Sequence, residues 1–83
     1  MRYAVVIEKA TTNYSAYAPD LPGCVATGDT VEQVEQLMRE GIEFHLEGMR
    51  EDGQPIPEPS TLLTYVEVNS PQASNRQSNR SAS

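Results

Sequence analysis

Between Tyr17 and Thr30 the chain has fourteen residues in which to end a strand, reverse direction, lay down a second short strand and start a helix. Pro22-Gly23 suits the centre of a type II turn, because proline presets φ near −65° and glycine accepts positive φ. Cys24 to Thr27 is then long enough only for a short strand. Asp29 and Thr30 each offer a side-chain oxygen to the free N–H groups at a helix start, either Thr30 with Gln33 or Asp29 with Glu32. Immediately afterwards the apolar period changes. Val31, Val34, Met38, Ile42, His45 and Met49 recur at three- and four-residue spacings, which is the stripe of an amphipathic helix running to about Glu51. A chain that must turn this corner is a sheet with one helix laid across it.

The remaining segments complete that plan. Residues 2–9 form a β-branched run with Tyr3, Val5 and Ile7 on one face and Ala4, Val6 and Glu8 on the other. A turn follows at Ala10–Asn13, and Tyr14 to Ala18 reads as a second strand. Gly53 and Pro55 stop the helix, and the linker from Pro55 to Pro59 holds three prolines in five residues. Leu62 to Val68 has the alternation of a last strand. The expected order is βββαβ, an α+β fold: a four-stranded mixed sheet with one long helix on one face, joined to the last strand by a right-handed crossover. Residues 1–69 form one domain. Residues 70–83, with five serines and no leucine, isoleucine or valine, are expected to be a disordered polar tail.

Charge narrows the function. All twelve acidic residues lie between Glu8 and Glu67, and residues 1–69 carry only four basic ones, a net −8. Such a field repels phosphate backbones and argues against direct nucleic-acid binding by the folded part, while it suits a basic partner. A lone cysteine excludes an intramolecular disulfide and fits a reducing cytoplasm. No apolar run reaches the roughly 20 residues of a membrane span, and the five apolar residues after Arg2 are too few for a secretory signal.

No enzyme motif is visible, nor a cofactor fingerprint or metal-ligand spacing. Cys24 reads as a packed hydrophobe entering a strand, and His45 as a structural, hydrogen-bonded residue within the apolar stripe. Glu8, Asp20, Asp29 and Glu32 are the carboxylates from which a cation site could be imagined, although a turn and a helix cap explain three of them. Partner binding is the better-supported chemistry. Leu37 and Phe44 fall together on one flank of the helix stripe, either at the rim of the core or as an apolar contact for another chain. Glu40, Glu43 and Glu47 lie on the outer, acidic helix face. The turn Asp20-Leu21-Pro22-Gly23-Cys24 is a second candidate contact surface. One sheet face left bare in so short a chain also points to self-association, at least as a dimer.

The aromatic second strand, Pro19-Asp20-Leu21-Pro22-Gly23-Cys24, Gly28-Asp29-Thr30, the long acidic helix and the exit Gly53…Pro55…Pro57 together resemble the N-terminal domain of HicB-like antitoxins over residues 2–69. The resemblance implies a partial ribonuclease H-like fold that commonly lacks nuclease activity. It also implies a HicA-like partner, a small toxin that cleaves mRNA, and hence a chain that neutralises that toxin. Many members continue into a helix-turn-helix or ribbon-helix-helix domain, and the fourteen residues after Asn69 are expected to supply neither. Two other readings stay open on the residues alone: a divalent-metal nuclease on the same scaffold, and a solitary oligomeric accessory protein with no toxin.

Overall fold

A computed structural model describes residues 1–70. Its element order is β1 (Val6–Lys9), β2 (Tyr14–Tyr17), β3 (Val25–Gly28) and α1 (Val31–Glu51). The three strands form one antiparallel sheet with β2 in the centre. Val6 pairs with Tyr17 and Lys9 with Tyr14 on one side; Tyr14 pairs with Gly28 and Tyr17 with Val25 on the other. The first and third strands are each offset from the expected limits, because pairing with β2 selects only the stretch that lies opposite it.

The register sorts the side chains by face. Ile7, Ala16 and Ala26 are aligned across the sheet. They share the inner face with Tyr3, Val5, Tyr14, Ala18 and Cys24, as the period of two requires. Against that face α1 lays Val34 and Met38, both buried, with Ile42 and Leu46 partly buried beside them. The helix packs on β3 and β2, so β1 is covered least. On the outer face Val6, Tyr17 and Val25 form an apolar row, with Val25 69% exposed.

The corner is built from two successive turns. Leu21 N–H donates to Ala18 O (3.0 Å), and Cys24 N–H donates to Leu21 O (3.1 Å). Gly23 at φ +92° occupies the turn position that requires positive φ. The two turns tuck Leu21 inward until only 1% of it is exposed. Thr30 is the N-cap: its Oγ1 accepts from Gln33 N–H (3.0 Å), and Gln33 Oε1 reaches back to the N–H of Asp29 (2.7 Å). At the far end Gln54 N–H donates to Met49 O and Gly53 N–H to Arg50 O, with Gly53 at φ +73°. That pair of bonds is the Schellman arrangement, and it explains why the helix stops at Glu51.

The expected fourth strand is corrected by the structure: Leu62–Val68 pairs with no strand of its own chain, and the sheet has three strands, not four. The preceding residues show why. Tyr3 Oη donates to Pro57 O (2.5 Å), so the linker crosses the start of the first strand. Four donors from Ser60 and Thr61 then converge on the Asp20 carboxylate, beyond the end of β2. The chain is thus carried inward across the sheet end, away from the open side of β1, and residues 62–68 are all exposed. Apart from Ser70, the expected tail 70–83 lies outside the described residues.

Candidate partner-binding surface

α1 presents two grooves, one along each flank. The first, about 430 Å³, runs between the helix and the start of β3. Gly23, Cys24 and Val25 form one wall; Leu37, Gly41, Phe44, His45 and Gly48 form the other. Phe44 is 83% exposed and Leu37 is also exposed, so the core does not absorb them. The second groove, about 570 Å³, opens beside β1. It is lined by Tyr3, Val5 and Ile7 below and by Glu35, Met38, Arg39, Ile42, Glu43 and Leu46 above.

Of the residues singled out in the sequence, Gly23, Cys24, Leu37 and Phe44 meet in the first groove. Glu40 and Glu47 do not line it; they are exposed beside Gly41 and Gly48 on the same helix, each held by a helical neighbour. Gln36 Nε2 donates to Glu40 Oε2 (2.8 Å), and Arg50 Nη1 pairs with Glu47 Oε1 (2.5 Å). Exposed pairs of this kind are weak, so these carboxylates remain available to a partner's cations. Glu43 stands apart, at the second groove. Pro22 is exposed at the tip of the turn.

Two residues of the turn have other work. Leu21 is a core residue and has almost no surface to offer a partner. Asp20 is the clasp for the C-terminal segment: Ser60 N–H (2.9 Å), Ser60 Oγ (3.0 Å), Thr61 N–H (3.1 Å) and Thr61 Oγ1 (2.8 Å) all donate to it. Backbone hydrogen bonds from Ser60 and Thr61 are the main reason its carboxyl is lowered to about 2. Sequence reasoning reached these residues through turn chemistry. It did not see the clasp, because Ser60 and Thr61 are forty residues away along the chain.

The two mid-helix glycines were also missed. Gly41 and Gly48 sit seven residues apart on the flank of Leu37 and Phe44, and a Cβ at either would meet nothing within 4 Å. Each costs about 1 kcal/mol relative to alanine in a helix, and packing within the chain gives no reason for them. They leave a smooth furrow beside an exposed phenylalanine. The signal was present in the sequence, as two glycines at heptad spacing inside an otherwise strong helix.

The chemistry of the site is that of contact. Burial pushes the Cys24 thiol up, away from the reactive thiolate. The His45 side chain lines the first groove and has no hydrogen-bond partner among the described residues, which corrects the expectation of a hydrogen-bonded imidazole. Glu8 is exposed on the sheet face away from the helix, whereas Asp20 lies beyond the end of β2 with its oxygens occupied. Among the described residues no group of three acidic, histidine or cysteine side chains is placed to hold a metal ion. No described helix is long and apolar enough to cross a membrane.

A family model described as "HicB_like antitoxin of bacterial toxin-antitoxin system" matches residues 3–77. Among curated proteins, an uncharacterized 14.9 kDa protein of Haemophilus phage HP1 is 38% identical over 66 residues, covering 80% of this chain and 50% of the relative. Antitoxin HicB 2 of Photorhabdus laumondii is 33% identical over 69 residues, covering 82% of this chain and again 50% of the relative. The chain therefore spans about half the length of these two proteins. Among solved structures, a chain of the "HicA3 and HicB3 toxin-antitoxin complex" superposes with a TM-score of 0.60 at 29% identity, covering 71% of this chain and 69% of the other.

Proposed function

Because this chain belongs to the HicB-like antitoxins of bacterial toxin–antitoxin systems, we propose that it is a non-catalytic, cytoplasmic binding protein that neutralises a HicA-type, mRNA-cleaving toxin. The observation that carries the reading is the first groove, an exposed Phe44 beside a glycine furrow, with Glu40 and Glu47 exposed on the neighbouring helix surface. Apolar anchors flanked by like charges fit a basic protein surface. The charges steer the encounter, and the buried aromatic sets the lifetime of the complex. A protein that binds RNA is basic where RNA binds, and a −8 body competes for that surface.

We read the α+β body as a partial ribonuclease H-like scaffold used for binding. Asp20, the carboxylate a nuclease would need free, is engaged by Ser60 and Thr61, and Glu8 is on another face of the sheet. Cytoplasmic residence follows from the partner, since a toxin that cleaves mRNA acts where mRNA is.

The test uses a purified HicA-type toxin. Its RNA cleavage is expected to fall as the chain is added, and Phe44→Ala is expected to weaken that inhibition at least tenfold, chiefly through faster dissociation. Changing Glu40 and Glu47 together to glutamine is expected to slow association and flatten its salt dependence, with circular dichroism unchanged. RNA cleavage by the chain itself with magnesium, abolished by Asp20→Asn, would overturn the reading in favour of a nuclease.

A further inference from the structure

The segment 62–68 and the second groove are complementary, and they lie apart in one molecule. The segment Leu62-Leu63-Thr64-Tyr65-Val66-Glu67-Val68 is β-branched, aromatic and alternating, with no glycine, proline or asparagine. It is nevertheless bare: Leu62 is 92% and Tyr65 96% exposed. β1 meanwhile is an edge strand with one row of backbone groups unpaired. Beside that edge lies a groove floored by Val5, Ile7, Met38, Ile42 and Leu46.

We propose that residues 62–68 are a fourth strand supplied in trans, laid by each copy of this chain along the free edge of β1 of a second copy. The lengths are compatible. Seven extended residues cover roughly 23 Å, enough to run the whole four-residue edge of β1, Val6–Lys9. Alternation places Leu62, Thr64, Val66 and Val68 on one side, where they fill the groove beneath the helix. Leu63 and Tyr65 fall on the other side and extend the apolar row of Val6, Tyr17 and Val25 across the outer face. Exchange between two copies is reciprocal, so the assembly closes as a two-fold dimer in which both arms and both β1 edges are paired.

The clasp is what selects a second copy over the same chain. Thr61 is fixed at Asp20, beyond the end of β2, after the linker has already passed over Tyr3. To reach its own β1 edge the chain would have to reverse within residues 62–68, where it has no turn residue. The arm and the edge it fits are separated by geometry, not by chemistry. This inference is independent of the toxin: it uses β1 and the second groove, whereas the toxin reading uses the first.

The experiment combines light scattering with hydrogen exchange on the full chain, without toxin. The wild type is expected to be a dimer at tens of micromolar, with the amides of residues 63–67 protected. Val66→Pro removes a ladder donor, and Val66→Asp places a charge in the groove. Each is expected to raise the dimer dissociation constant at least tenfold and to free those amides, while the helical circular dichroism signal stays. A monomer with protected arm amides would mean that the strand folds back on its own chain and would overturn the proposal. So would a dimer that survives both variants, or a monomeric chain whose arm becomes protected only when the toxin is added.

Discussion

The corner from Ala18 to Cys24 and the arm from Thr61 to Val68 are both short, leucine-containing segments without a helix, and their fates are opposite. The corner buries Leu21 to 1% exposure; the arm leaves Leu62 at 92%. The residue types do not explain this. The corner is closed by two turns that need no distant partner, and it delivers its leucine onto a sheet face already paired on both sides. The arm has strand chemistry but pairs with no edge of its own chain. Apolar composition therefore says that a segment must be covered, and chain geometry decides by whom.

Leu21→Ala is the strongest way to break the contrast from the corner side. It should cost about 2–5 kcal/mol, the range for emptying a packed leucine site, read as a lowered urea midpoint. Gly23→Val comes next: φ +92° is strained for a β-branched residue although a Cβ there meets nothing within 4 Å, so about 1–3 kcal/mol should be lost through backbone strain alone. Wild-type stability in that variant would remove the type II turn from the account.

The clasp joins the two regions, and acid should open it. The Asp20 carboxyl is lowered to about 2 from an ordinary 3.8, principally by its backbone hydrogen bonds to Ser60 and Thr61. A carboxyl depressed in the folded state contributes fully above its unfolded value, and the contribution is lost as pH falls through the folded one. Exchange of the Ser60 and Thr61 amides should therefore stay protected down to about pH 4 and become faster, relative to the core, towards pH 2. Asp20→Ala should show the loosened state at neutral pH. The smallest effect belongs to the arm itself: Leu62→Ala should change the stability of the isolated monomer, measured at high dilution, by less than about 0.5 kcal/mol, as for an exposed surface position.

Much of the fold was legible in residue order, and for local reasons. The cap at Thr30 with Gln33, the turn at Pro22-Gly23 and the stop at Gly53 each rest on interactions within six residues, so the sequence carries them whole. Leu37 and Phe44 were legible as a flank by helical projection, but whether they reach the core depended on how far α1 is rolled over β2 and β3. Leu21 reads in the sequence as part of a contact turn, because nothing local shows that two stacked turns point it inward.

By itself, the sequence determined the three-strand meander, the long helix, its apolar stripe and its acidic outer face. These follow from period, capping and turn chemistry, which act over a few residues. Only the tertiary structure decided that Asp20 holds Ser60 and Thr61, that the linker passes over Tyr3, and that Leu62–Val68 therefore finds no strand in its own chain. Those are contacts across forty and more residues. Their partners are chosen by where the chain has already been placed, and no local pattern of residues encodes that.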